Sequence, residues 1–254
     1  IALTPVGEAV AARAGAILRA VDELGDLARA STASFGGPLR LGLIPTIAPY
    51  LFPAIFAEVA RQLPDVELRP REAVTRQLID ELRVGALDAA ILALPTATPG
   101  LTEWPLFEEE FALARPAAAA HEPPPAPEQL AGMRLLLLEE GHCFRDQALA
   151  WCQGAGAAPR DVIEASSLST LVQMVGAGVG VTLIPRMAIA LESRATAVAV
   201  TRLPPPAPTR RVGMVWRATS PLAGHLARIA GLVQAAARGL DAPAPLAEAK
   251  KARL

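Results

Sequence analysis

The first thirty residues carry one uninterrupted apolar stripe. Val10, Ala14, Ile17, Val21, Leu24 and Ala28 recur at alternating spacings of four and three, which is the seam of a heptad helix. Thr4 suits the N-cap and Pro5 the first turn, so the pattern predicts one long helix from about residue 4 to residue 30. Two readings of the seam stand side by side: a coiled-coil dimer element, or a surface helix packed on its own domain. Ser31 to Pro38, rich in Ser, Thr and Gly, reads as a linker.

From Leu39 the periodicity changes. LRLGLIP, VELRPRE and AAILAL are strand-like, and APYLFPAIFAEVARQL and TRQLIDELRVG lie between them as helices. LFEEEFALARP then leads into a second set: RLLLLEE, a helix in FRDQALAWCQ, VIEAS, a helix around LSTLVQMVGAG, VGVTLIP, a short helix, VAVTRLP and RRVGMVWRA. PLAGHLARIAGLVQAAARG closes it as a helix. Strands alternating with helices argue for a parallel α/β architecture. The proline-rich pieces 116 to 127 and 204 to 208 read as surface loops, and residues 241 to 254 as a disordered tail.

Composition excludes more than it asserts. In 254 residues with a net charge of −1, no global attraction to nucleic acid or an anionic membrane is expected. The 52% hydrophobic content holds no uncharged run near the ~20 residues of a membrane span. No signal peptide is seen, so the chain reads as cytoplasmic, a setting in which paired cysteines are more often regulatory than structural. His121, His142 and His225 are scattered and the cysteines wrongly spaced for zinc, so neither a metal nor any other cofactor is expected. Thr4-Pro5 as a helix start, with a non-Met Ile1, suggests a missing N-terminal part.

Cys143 and Cys152 are the two cysteines. Cys143 would sit at the positive end of a helix between His142 and Arg145, three influences that favour a thiolate, while Cys152 lies beside Trp151 in an apolar stretch. The bland alternative is that both are small buried hydrophobes. The asymmetry points instead to an attacking and a resolving thiol. Their nine-residue separation on a helix means about 2.5 turns and about 13 Å of rise, on opposite faces. A disulfide needs Cα atoms within roughly 7 Å, so an intact helix and a closed bond exclude each other.

Ligands of open α/β sheets bind at the carboxyl ends of strands. The loops to watch are Ile44-Pro45-Thr46, Glu72-Ala73-Val74-Thr75 and Glu139 to Cys143. Both threonines suit the N-cap of the helix that follows, a role compatible with contacting a small polar molecule.

LTPVGEA, GPLRLGLIPT, the GxLDAAIL stretch at Gly85 to Leu92 and MVGAGVGVTLIP at Met174 to Pro185 resemble the regulatory half of LysR-type transcriptional regulators. IPTIAPYL, EAVT, LLLLEEGHCFRDQALAWC and SSLSTLVQMV are similar to the hydrogen-peroxide-sensing members of that family. The resemblance implies an α/β fold of two Rossmann-like subdomains of the periplasmic-binding-protein type, preceded by a long linker helix. The helix (1–35) would dimerise, residues 38–113 with 219–240 would form one subdomain, and 114–218 the other. A winged helix-turn-helix module would precede Ile1, and the regulatory regions would associate as homodimers or homotetramers. Promoter DNA and RNA polymerase would be partners of the full-length protein, and a thiol reductant would recycle it. Peroxidatic Cys143 and resolving Cys152 are implied, with Thr46, Thr75 and His142 holding peroxide and Arg145 and Asp146 supporting the thiolate and loop. Phe144 and Trp151 depart from the family's usual Leu and smaller aromatic. Such a regulator is not an enzyme. A thiol peroxidase, and a LysR-type regulator of a small organic effector with incidental cysteines, are the competing functions.

Overall fold

The computed structural model describes residues 3–30, 35–130, 132–154, 161–194 and 196–240. Helix α1 (Pro5–Ala30) opens as expected: the Gly7 amide donates to Thr4 Oγ1 at 3.1 Å and the Glu8 amide to Thr4 O at 2.9 Å. Val10, Ile17, Val21 and Leu24 of the seam are 59–67% exposed, so the chain's own body does not cover it. That removes the reading of a surface helix packed on its own domain. The C-terminal end of α1 does touch the body, with Asp26 buried and Ala30 against the first core. Residues 31–34 of the expected linker, like the 241–254 tail, lie outside the described residues. Phe35, just beyond, is buried and stacked on His225 with ring centroids 4.7 Å apart.

The body begins with β1 (Gly37–Leu43), α2 (Ala48–Gln62), β2 (Val66–Glu72), α3 (Thr75–Arg83) and β3 (Ala89–Leu94). These strands are parallel in the order β2-β1-β3, with Leu43 opposite both Glu72 and Ile91. β3 is buried along its whole length, as a strand covered on both faces should be. Asp88, just before it, accepts from the Arg40 amide at 2.7 Å and from the Arg40 guanidinium, which fixes the start of β3 against β1.

The expected all-parallel sheet stops there. β4 (Leu101–Pro116) follows β3 without a helix, and a parallel neighbour would need a crossover of a dozen residues or more. Instead β9 (Thr209–Arg217) lies between β3 and β4, antiparallel to both. The second half comprises α4 (Pro127–Leu130), β5 (Arg134–Leu138), α5 (Cys143–Gly154), β6 (Asp161–Ala165), α6 (Leu168–Gly176), β7 (Thr182–Pro185), α7 (Arg186–Glu192) and β8 (Val198–Arg202). β5 and β6 are parallel, whereas β7 and β8 flank the far end of β4 antiparallel to it. Helix α8 (Ala223–Leu240) returns to pack on α2. The sheet is therefore mixed within an α/β fold.

Two apolar cores result. One is built around Leu41, Leu43, Ile91, Met214 and Ile229, the other around Leu113, Leu136, Ala148, Leu171 and Ile184. In the second, Val181 bridges to Leu135, with the Leu136 amide on Val181 O at 2.8 Å. Gly180 makes this approach possible, because a Cβ there would lie 2.5 Å from the Arg134 carbonyl oxygen. Gly180→Ala should destabilise the protein by about 1–3 kcal/mol. Gly231→Ala, in α8 with nothing within 4 Å of its Cβ, should stabilise it by about 0.5–1 kcal/mol. Urea denaturation of the two variants reads both signs.

Candidate functional site

The chain leaves β5 at Leu138, turns through Gly141 at φ +95°, and enters α5 at Cys143. Only glycine adopts that left-handed backbone without strain, and the turn sets Cys143 at the positive end of the helix. Both cysteines are free thiols. They belong to different cores: half-buried Cys143 packs against the first, and Cys152, 1% exposed, is part of the second. Burial pushes the Cys152 thiol above its ordinary pKa, which keeps it protonated.

The expected cationic surroundings of Cys143 are only partly present. Burial lowers the His142 imidazole below its ordinary value, opposed by Glu139, so at neutral pH His142 is an uncharged donor and acceptor. Arg145 is paired: its Nη1 donates to Leu138 O at 3.0 Å and to Glu164 Oε1 at 2.6 Å, tying the start of α5 to β5 and β6. Asp146 is exposed in the first turn of α5, where a carboxylate suits the helix dipole.

Neither threonine is a helix cap, contrary to expectation. Helix α2 starts at Ala48 after Ile47, and α3 at Thr75 itself after Val74, both without a side-chain cap. Thr46 is buried and engaged elsewhere, with its Oγ1 accepting from Arg210 Nη1 at 2.8 Å and its carbonyl from Nη2 at 3.1 Å. Since Arg210 occupies a lone pair, the Thr46 hydroxyl hydrogen is left to donate. Thr75 Oγ1 is buried with no hydrogen-bond partner. Thr46 and His142 line one cavity of about 310 Å³ together with Tyr50, Gln77, Ser167 and Ser169, and Val74 beside Thr75 also faces it. Along one wall the Tyr50 hydroxyl donates to Glu192 at 2.7 Å. Burial, and then Glu192 itself, raise the Tyr50 phenol above its ordinary pKa.

Two residues escaped the sequence reading. Arg210 is 1% exposed; its Nε donates to Glu109 Oε2 at 2.8 Å, and the second Glu109 oxygen accepts from the Met187 amide at 2.7 Å. The guanidinium lies 5.8 Å from the centroids of both Phe111 and Phe144, whose rings meet edge-on at 4.8 Å. A signal existed: Arg210 is in phase with the buried Val212 and Met214 of β9, at an inward position no unpaired charge occupies. The other is Gln147, four residues after Cys143 and so on its face of α5, whose Oε1 is buried without a partner. Among the described residues no cluster suited to a metal ion is present, and no helix is long and apolar enough to cross a membrane.

Removing one member of a buried ion pair leaves the other charge uncompensated. Arg210→Met should therefore destabilise the reduced protein by about 3–5 kcal/mol, and Glu109→Gln added to it should recover a large part of that loss. Equal thermal stability of the single and double variants in a melting experiment would refute this account of the pair.

Comparison with known proteins agrees with this geometry. The LysR substrate binding domain family matches residues 32–238. The probable hydrogen peroxide-inducible genes activator of Mycobacterium avium is 42% identical over 235 residues, covering 91% of this chain and 75% of the relative. The DNA-binding transcriptional dual regulator OxyR of Escherichia coli K12 is 38% identical over 239 residues, covering 92% and 78% respectively. Among solved structures, an H2O2-bound cysteine-to-serine mutant of Corynebacterium glutamicum OxyR matches with a TM-score of 0.80 at 34% identity, covering 93% of this chain and 76% of that one. With a LysR-family match over most of its length and relatives of this similarity, the chain belongs to the OxyR group of LysR-type regulators, the hydrogen peroxide-inducible genes activators.

Proposed function

We propose that the chain senses hydrogen peroxide through Cys143 and reports it by pairing Cys143 with Cys152. The observation that carries this reading is the placement of two free thiols on one helix, each docked in a different core, with Arg210 holding Thr46 and meeting the Phe144 ring next to Cys143, and with Thr46 and His142 lining one cavity. The Cys143 thiolate attacks one peroxide oxygen, the O–O bond breaks, and the other oxygen leaves as hydroxide. Cys143 becomes a sulfenic acid. Thr46, Thr75 and His142 hold the peroxide, Gln147 Oε1 accepts a hydrogen bond from a peroxide O–H, and the Arg210 charge steadies the developing hydroxide. The Cys152 thiol then attacks the sulfenic sulfur, an S–S bond forms, and the departing hydroxide takes the thiol proton as water. Two electrons pass from the thiols to peroxide, and a cellular thiol reductant returns them. Arg145 and Asp146 anchor the start of α5 while the rest is remodelled.

Residues 1–35 serve as the linker and dimerisation helix, 38–113 with 219–240 as the first subdomain and 114–218 as the second. The exposed seam of α1 supports a dimer through a second copy, and the regulatory regions associate further into a tetramer. Promoter DNA and RNA polymerase are engaged through the full-length protein in the cytoplasm. Its relatives are named gene activators or transcriptional regulators, which supports a regulator rather than a peroxidase. The cavity favours one second reading, since about 310 Å³ is room for a small organic effector as well as peroxide. Tight carboxylate binding with no response to peroxide would favour that reading.

Mass spectrometry before and after one equivalent of peroxide should find a Cys143–Cys152 bond. Cys143→Ser should abolish the response, and Cys152→Ser should stop at the sulfenic acid; faster alkylation of Cys152 than of Cys143 at neutral pH would reverse the roles. Thr46→Val should slow oxidation roughly tenfold to a hundredfold, equivalent to about 1.4–2.7 kcal/mol. Unchanged kinetics in stopped flow would leave Thr46 with a purely structural part. In sedimentation, Ile17→Asp with Leu24→Asp should dissociate the dimer; a monomeric unmutated chain at micromolar concentration would exclude α1 as a dimer element.

A further inference from the structure

Disulfide closure faces an obstacle that the oxidation of Cys143 does not. Cys152 is buried in the second core, about 2.5 turns and roughly 13 Å of helical rise from Cys143 and on the opposite face of the helix. The C-terminal half of α5 must leave that core before the sulfurs can meet. Apolar packing holds it there, and so does the residue next to the resolving thiol. Trp151 packs half-buried on the second core, and its indole Nε1 donates to the Pro206 carbonyl at 3.2 Å. This hydrogen bond ties the last turns of α5 to the connection between β8 and β9.

The acceptor belongs to a stretch that is itself held in place. Between β8 and β9, Leu203 is buried, Ala207 packs on the second core, and Pro208 O accepts from the Phe111 amide at 2.9 Å. Four residues after Pro206 comes Arg210, whose guanidinium holds Thr46. The indole is therefore moored to a segment continuous with the reactive site, and any outward movement of Cys152 breaks that mooring.

We infer that Trp151 is a latch on the resolving thiol: its hydrogen bond to Pro206 favours the helical dithiol, so Trp151 sets the rate and equilibrium of disulfide closure and leaves Cys143 oxidation untouched. The inference takes its place in the cycle from the peroxide-sensing reading, but a latch of this kind acts on the thiol–disulfide equilibrium whatever the oxidant. Stabilising the dithiol raises the potential of the pair, so removing the bond lowers it. One hydrogen bond corresponds to about a fivefold change in the equilibrium constant. At about 30 mV per decade that is about 20 mV.

Two variants separate the bond from the bulk of the side chain: Trp151→Phe, and replacement of Trp151 by benzothienylalanine, which keeps the ring shape with sulfur in place of N–H. Each is equilibrated in oxidised and reduced dithiothreitol, where closure transfers two electrons to the reagent's disulfide. Both variants are expected to shift the midpoint by about 20 mV in the reducing direction. After peroxide, both should close several-fold faster, while sulfenic acid forms on Cys143 at an unchanged rate in the Cys152→Ser background. A benzothienylalanine variant with the midpoint and closure rate of the unmutated chain overturns the latch. So does an equal change in both chemical steps, which would mean that Trp151 merely supports the fold. Failure of peroxide to oxidise Cys143 in the unmutated chain would count against the sensing reading, and the dithiothreitol midpoints would still decide the latch.

Discussion

The ion pair between Arg210 and Glu109 is the constraint around which the reactive end of the molecule is arranged. A guanidinium taken out of water needs several partners at once, and this one has them from distinct parts of the chain: a carboxylate on β4, a hydroxyl and a carbonyl after β1, and two aromatic rings, one on β4 and one on α5. The carboxylate in turn accepts from the Met187 amide in the first turn of α7. Such pairs seldom add stability over an apolar replacement. What this one supplies is position, because Thr46 and the Phe144 end of α5 share a single charged group.

The same arrangement explains why one helix can carry two states. Cys143 packs against the first core, while Phe144, whose ring meets the Arg210 guanidinium, belongs with Ala148 and Cys152 to the second. α5 spans a boundary, and its helical form is held at both ends, by Arg145 on Glu164 near the start and by Trp151 on Pro206 near the finish. A covalent bond between its thiols competes with contacts in both cores, so oxidation is felt well beyond the sulfur atoms.

Much of this was legible in the sequence. The heptad stripe of α1, the Thr4 cap, the strand and helix alternation and the cysteine helix all follow from local periodicity, and local periodicity is what survives in a linear string. Three things were not. The antiparallel placement of β4 and β9 depends on which strands a short connection can make neighbours, which only the assembled sheet decides. Thr46 and Thr75 look like caps because cap preference is local, whereas the partner that claims Thr46 lies 164 residues away. Arg210 stands next to Arg211 in the sequence, and only the inward phase of β9 distinguishes it from its exposed neighbour. The misses are long-range pairings of polar groups, and a local pattern can mark such a residue as inward, as the phase of β9 does for Arg210, without naming its partner.

β4 carries a further consequence. Its first half contributes Leu106 to one core and its second half Phe111 to Ala114 to the other, while β9 pairs with the first stretch and β7 and β8 with the last. A hinge made of flexible loops would let the two halves melt separately. A continuous strand hydrogen-bonded at both ends does not, since fraying one half removes the ladder that aligns the other. A strand shared in this way favours unfolding of the protein as one cooperative unit although it has two hydrophobic centres.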